Sequence, residues 1–426
     1  MVRVSERLSG GGLGVKRYRV EAELASPLVI RRERQSQRSE GAQSITGTLL
    51  RGAFAQAWLQ RHGAPDASFT RLFLDEHACR FGPLDPAVRV IPRTAFSCKR
   101  VPGFREDGKH GVVDQLVPLL RSRLGQTSAE PERCRVCGQD LKAFSGFWQL
   151  KSNGEPTEPK GLWRRTVAVH VGIDRLTHTA AERILFTLPV LEPKAQDSKE
   201  TPDAGEKSRL TGWIAAAEDV LPALQELLRD EEQMLRIGHA RTRGYGRVRV
   251  TIGEELSAAP VDWAAWSREI LQRAAPQLAA EGRYFLFTLS LPTGAILVDD
   301  LLRYTLDPAG MVPWLPPLPP PEPTLQTFDL PGKEFAGGRL WCVMAVAHHE
   351  RLRGWNAAHG LPRQDEWLVT RGSVYVYLYE GDNDGQAELH AKLRQLEADG
   401  LGARRNEGYG QVLICDDFHR RFAPQQ

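Results

Sequence analysis

The stretch Gly238-His-Ala-Arg-Thr-Arg-Gly-Tyr-Gly-Arg-Val248 follows a helix-like segment and runs straight into the β-type run Arg-Val-Thr-Ile. A second stretch, Ala403-Arg-Arg-Asn-Glu-Gly-Tyr-Gly-Gln-Val412, stands in the same setting and runs into Leu-Ile-Cys. Arginines supply donors for phosphate, and glycines let backbone amides approach an anion with no Cβ in the way. The tyrosine between the glycines adds a ring on which a base can stack. Two such turns at matching places imply a duplicated nucleic-acid-binding module.

Working outward, the segments around each turn read alike. In the first half, residues 17–30 alternate as a half-buried strand, and residues 44–59 carry apolar residues at helical spacing. Further strands are expected at 164–174, 183–191 and 210–217, and an amphipathic helix at 219–235 with Asp219 as its cap. Residues 247–252 close the unit with a β-branched strand. The second half offers strands at 284–291, 340–347 and 373–379, a helix at 387–398 ended by Gly400 and Gly402, and a last strand at 411–415. The order βαββαβ, taken twice, predicts an α+β chain of tandem ferredoxin-like domains, at 1–255 and 256–426. Residues 193–208 read as a polar loop. The segment 312–323 has seven prolines in the eleven residues from Pro313, which predicts an extended polyproline connector.

The chain has 426 residues, 56 Lys and Arg against 53 Asp and Glu, and a formal charge of +3, so it is no polycation. Its arginines are clustered instead. Residues 236–249 hold five arginines and no acid, Arg31, Arg32, Arg34 and Arg38 form a second group, and Arg164-Arg165 a third. Such patches suit a defined nucleic-acid path rather than general coating. The start lacks the apolar core of a signal peptide, and the most apolar stretch, 284–302, is broken by Pro292, Gly294, Asp299 and Asp300. A cytoplasmic location is expected.

Six cysteines are unevenly placed. Cys98, His110 and the pair Cys134-Arg-Val-Cys137-Gly have the spacing of a tetrahedral Cys3His zinc site. Cys79 is the alternative to His110 as fourth ligand. Four protein ligands leave no open position, so the zinc would be structural, stabilising an insertion at about 77–150 that has little apolar core of its own. Cys342 and Cys415 sit in apolar strands and read as packing residues.

Three features resemble one family. Ser44-Ile-Thr-Gly-Thr-Leu-Leu-Arg-Gly-Ala is similar to the start of the first helix in RAMP proteins of CRISPR effector complexes. His170-Val-Gly-Ile-Asp-Arg-Leu-Thr-His-Thr-Ala-Ala-Glu-Arg-Ile-Leu-Phe186 resembles the family stretch in which an Ile-Asp-Arg turn precedes a Thr-Ala-x-x-x-x-Leu-Phe strand. The glycine-rich turn before a final strand is the third. The inserted Cys…His…Cys-x-x-Cys resembles the large RAMP subunit of subtype III-D systems, the Csx-ten group, and the resemblance spans 17–416. It implies RRM-like RAMP domains and a non-catalytic subunit that caps the 5′ handle of a CRISPR RNA (crRNA) in antiviral defence. Partners would be the backbone RAMP subunits, the large polymerase-like subunit and target RNA, with no membrane. By position, the RNA contacts would be Arg51, Arg175, Arg241, Arg243, Gly244, Tyr245, Gly246, Arg404, Arg405, Tyr409 and Gly410, with Arg31, Arg32 and Arg34 reaching beyond the core. The second turn departs from the family pattern at Glu407, which puts a negative charge beside the tyrosine.

An enzymatic alternative follows from the histidines. Some RAMP proteins cut repeat RNA without metal, and His170, His178 and His239 lie near the expected RNA face, His239 being the best placed. Asp174 could hold a metal for target cleavage or pair with Arg175. Phosphate-loop, His-Glu-x-x-His and Gly-x-Ser-x-Gly motifs do not occur.

Overall fold

Alternation in Lys16–Leu24 puts Val20, Ala22 and Leu24 on one buried face, and this strand becomes central in a five-stranded antiparallel sheet. Its neighbours are Arg209–Ala216 on one side and Arg247–Glu255 on the other, with Cys79–Phe81 and Leu235–Arg236 at the edges. Counting only the four strands of the βαββαβ order gives 4-1-3-2, the ferredoxin-like arrangement. The helix Gly47–His62 starts at Thr46, whose hydroxyl accepts from Leu49 N, and buries Leu50, Ala53, Phe54 and Trp58 against the sheet core. A computed structural model describes residues 15–30, 44–105, 110–125, 133–159, 163–195, 209–229, 234–256, 261–320, 327–356 and 359–424.

The expected helix over 219–235 is short, Leu221–Glu226. Beyond it the sequence runs Arg229-Asp-Glu-Glu, and acids at a helix C-terminus oppose the macrodipole. A long hairpin, Trp163–Ile173 with Ala180–Ala195, precedes the third core strand.

The chain divides into two units. The first comprises Met1–Pro86, Pro159–Ser257 and the tripeptide Asn406–Gly408; the second comprises Ala87–Glu158, Ala258–Arg405 and Tyr409–Gln426. The segment that carries the cysteine cluster therefore groups with the second unit, although in sequence it interrupts the first half.

The second sheet runs Lys333–Phe335, Gly338–Val346, Val374–Glu380, Tyr284–Ser290, Leu413–Ile414, again 4-1-3-2 once the edge hairpin strand is set aside. Here the described residues of the first crossover, 291–337, hold two 3-10 turns and the edge strand Lys333–Phe335, with no α-helix among them. Helix Trp263–Ala274, capped by Asp262 accepting from Ala265 N, packs in this core instead, as does Leu116–Arg123 from the inserted segment. Tyr375 and Tyr379 share one face of their strand, and their hydroxyls donate to Leu306 O and Ala336 O of segments covering it. The proline-rich segment, expected as an extended connector outside both cores, departs from that at its start, because Val312 and Leu315 are buried in the second core. Residues 321–326 of it, and 196–208 of the polar loop, lie outside the described residues.

Candidate metal centre and nucleic-acid interface

The inserted segment builds its site from a small three-stranded sheet, with Ala95–Cys98 between Val112–Asp114 and Leu141–Ala143. Cys98 ends the middle strand, and Cys134 and Cys137 flank a tight turn closed by Gly138 N donating to Cys134 O at 2.7 Å. Gly138 adopts φ +66°, which suits glycine at that point. One ligand atom from each of Cys98, His110, Cys134 and Cys137 lies within 4.8 Å of the others. Cys98 Sγ is 3.6 Å from Cys137 Sγ, and Cys134 Sγ is 3.5 Å from His110 Nδ1. Tetrahedral zinc, with Zn–S of about 2.3 Å and Zn–N of about 2.0 Å, sets edges of about 3.8 and about 3.5 Å, so the donor set fits that ion.

The electrostatics agree. Burial works to raise the Cys98 thiol, but the Val101 amide, His110, the Arg100 amide and Cys137 outweigh it and bring it to about 6. Cys137 accepts from the Gln139 amide, yet burial and the adjacent Cys98 and Cys134 sulfurs push its thiol up. Thiols packed this closely shed their protons together only around a cation. His110 is the fourth member of the cluster. Cys79 lies in the first unit's edge strand, where burial pushes its thiol up.

The two glycine-rich turns superpose residue by residue in their backbone bonding. Ile237 N donates to Gly246 O at 2.8 Å, and Leu401 N donates to Gly410 O at 2.8 Å. His239 N donates to Val29 O at 2.8 Å, and Ala403 N to Ile296 O at 3.0 Å. Ala240 and Arg404 each take a left-handed conformation, φ 58° and 59°, before the 3-10 turns Arg241–Arg243 and Arg405–Glu407. The glycines serve this geometry: a Cβ at Gly246 would collide with Ile237 O, and one at Gly410 with Leu401 O. Gly246 N donates to Pro27 O and Gly244 N to Arg241 O, so these amides hold the loop's own shape. Matching positions put Glu407 where the first turn has Arg243.

Side chains then separate the copies. In the first turn, Tyr245 Oη lies 3.1 Å from His170 Nε2 on the hairpin, and the His170 ring stacks on Phe186 at 5.3 Å. Arg243 sits over the Phe186 ring at 5.2 Å, and Arg241 bonds Gln56. This face of the hairpin packs around Val29, Leu188 and Val190, while Val167, Val169, Val171 and Ile173 on the other face are exposed. In the second turn, Arg404 pairs with Glu366 and lies over Tyr409 at 5.4 Å. Arg405 Nη1 donates to Asp399 O at 3.3 Å.

The RAMP superfamily profile matches residues 21–249, and the profile described as CRISPR-associated protein (Cas_Cmr3) matches 142–416. The chain belongs to the RAMP superfamily. No curated protein matches it. Among solved structures, it is similar to a chain of the type III-B Cmr-beta bound to cognate target RNA, at 11% identity and TM-score 0.38, over 93% of this chain and 96% of that chain. A chain of the same assembly with target RNA and AMPPnP gives 10% identity and TM-score 0.38, over 93% and 96%. A chain of the apo state gives 13% and 0.30, over 56% of this chain and 97% of that one.

Within this RAMP chain the remaining candidate residues fall as follows. Arg51 faces inward: Nη2 meets Glu407 Oε1 at 3.0 Å, Nη1 donates to Phe73 O, and Thr48 Oγ1 donates to Glu407 Oε2 at 2.6 Å. Glu407 is 5% exposed, so its charge is directed at Arg51 inside the first unit rather than outward beside Tyr409. The Thr-Gly-Thr-Leu-Leu-Arg motif is thereby explained, since a Cβ at Gly47 would strike Phe81 O and Glu407 O. Arg175 is exposed at the hairpin tip. Asp174 accepts from Leu176 N and Thr177 N at 2.7 and 3.1 Å, and these amides, Thr177 first, hold its carboxyl below the usual range. It shapes the tip, and Arg175 is not its partner in these bonds. Arg31, Arg32 and Arg34 lie outside the described residues. A second hairpin arm, 349–369, escaped sequence reading; its signal was arginines interleaved with Trp355 and Trp367. Among the described residues no helix is long and apolar enough to cross a membrane.

Proposed function

We propose that this RAMP chain is a non-catalytic, guide-RNA-binding subunit of a type III CRISPR effector ribonucleoprotein, holding the 5′ handle of the crRNA. The single observation that carries this reading is the first turn, where Arg243 and Tyr245 are set on an aromatic floor of Phe186 and His170. A guanidinium beside such a floor can hold phosphate while an unpaired base stacks. The Cys3His module supports the subtype III-D large subunit within that class, and zinc there would be structural. Zinc, when bound, would supply a four-coordinate cross-link between the ends of the inserted segment.

A second reading, metal-independent cleavage of repeat RNA, is favoured by the 3.1 Å contact of His170 Nε2 with Tyr245 Oη, a base and an acid within reach of one phosphate. Incubating the protein with labelled repeat RNA, with and without EDTA, separates the two. A shifted, uncut RNA whose binding weakens on Arg241→Ala and Arg243→Ala is expected. Unchanged affinity in those variants would remove the first turn from the interface, and EDTA-resistant cleavage lost in His170→Ala would establish the second reading.

A further inference from the structure

At the root of the second arm, within the second unit, a groove of about 470 Å³ is lined by Tyr304, Asn356, Arg363, Gln364, Glu366 and Arg404. Its chemistry is specific. Among the lining groups, two guanidiniums carry charge, the Tyr304 phenol and the His359 imidazole are rings on which a base can stack, and two amides carry donors and acceptors, the Asn356 oxygen already accepting from His359 N. Glu366 excludes a bare inorganic anion, since its carboxylate would face that anion directly. It is fixed by the Arg404 pair. One guanidinium contact leaves acceptor capacity on the carboxylate, because two oxygens accept in about four directions. Arg363 is held by its amide donating to Gly354 O at 2.8 Å, which docks the start of the returning strand on the arm. Alongside, Trp355 and Trp367 are 62% and 47% exposed, and Arg351 and Arg353 share Asp365. Exposed indoles among arginines are the composition of a stacking platform for single strands.

The volume suits one nucleotide. Among the four RNA bases, guanine alone presents two adjacent N–H donors, N1 and N2, on its Watson–Crick edge. Adenine and cytosine set a ring acceptor beside the amino group, and uracil flanks its N–H with carbonyl oxygens, so each turns a lone pair toward a carboxylate. We propose that this groove receives one unpaired nucleotide of a bound RNA, with Glu366 selecting guanine, Tyr304 stacking on the base and Arg363 meeting the phosphate. The inference rests on the RNA-binding reading above and names a contact point for the strand made of residues other than those of the first turn.

The test uses the full chain and fluorescein-labelled ten-nucleotide uridine oligomers carrying one central guanine, adenine or inosine, read by fluorescence anisotropy. The guanine oligomer should bind about tenfold tighter than the adenine one, the ordinary scale for a lost bidentate base contact. Inosine, lacking the N2 amino group, should fall between. Glu366→Gln should bring the guanine and adenine affinities together, while Arg363→Ala weakens all three and lowers the salt dependence. Equal guanine and adenine affinities in the native chain, or a preference untouched by Glu366→Gln, would overturn the inference. If that happens while Arg243→Ala still weakens binding, the RNA-binding reading stands without it. If no oligomer and no repeat RNA binds, both fall, and the arm's tryptophans become a protein contact.

Discussion

Arg51 and Glu407 stand 356 positions apart in sequence and 3.0 Å apart in the first unit, in an ion pair that is 17% and 5% exposed. Removing one partner of such a pair strands a buried charge. Glu407→Ala should cost about 3–5 kcal/mol of stability, seen as a lower denaturant midpoint, and Arg51→Ala a similar amount. Neither should change the salt dependence of RNA binding beyond what unfolding accounts for. A well-folded Arg51→Ala protein with a shallower salt slope would return Arg51 to the phosphate contacts.

Gly244 and Gly246 both have positive φ, but only Gly246 is also pressed against backbone. Gly244→Ala meets nothing within 4 Å and should lose about 1–2 kcal/mol from backbone strain alone. Gly246→Ala must push Ile237 aside and should fail to accumulate as folded protein. Comparable melting temperatures for the two would contradict the close approach.

Loss of a metal ligand is read by metal content and melting together. Cys134→Ser and His110→Ala should each drop bound zinc from one equivalent toward none and lower the melting temperature, whereas Cys79→Ser should keep the full equivalent. Retained zinc in His110→Ala would break the ligand set.

A buried pair in the second unit sets a pH dependence. His419 Nδ1 lies 2.8 Å from Asp114 Oδ2, and both side chains are fully buried. Burial alone would lower the His419 pKa, but the Asp114 charge and hydrogen bond, with Asp416, outweigh it and raise it above the ordinary value of 6.5. A raised histidine pKa stabilises fully below pH 6.5 and loses that contribution as pH climbs through the folded value. Burial likewise raises Asp416, which acts in the same direction. Melting temperature should therefore fall as pH rises above 6.5, and His419→Gln should flatten this slope while lowering stability at pH 6. A slope unchanged in His419→Gln would assign it to other groups.

Phosphate contacts are counted by salt. Each arginine lost from a single-strand interface should reduce the slope of log affinity against log salt by about 0.7. Arg241→Ala and Arg243→Ala are each expected to do so, with folding unaffected since both lie on a surface turn.

The duplicated turn was legible because its glycines obey a backbone rule that leaves a trace in sequence: Gly246 and Gly410 can be nothing else. The cysteine spacing was legible for the same reason, as coordination geometry demands it. What sequence concealed were pairings set by tertiary contact. An arginine that holds Glu407 looks like one that holds phosphate, and the helix Leu116–Arg123 joins the second core although its position suggests the first half. The arm 349–369 was missed because its strands of two to four residues are too short to show a period.

The tripeptide Asn406–Gly408 belongs to the first unit, where Asn406 Nδ2 reaches Phe73 O at 3.3 Å and Glu407 receives Arg51. Synthesis runs from the N- to the C-terminal direction, so residues 406–408 reach the first unit only after its other segments have been made. Domains ordinarily fold in order of synthesis. Here the first unit receives residues 406–408 after most of the second unit's segments have been made, and a nascent chain stalled before residue 406 would hold Arg51 without Glu407.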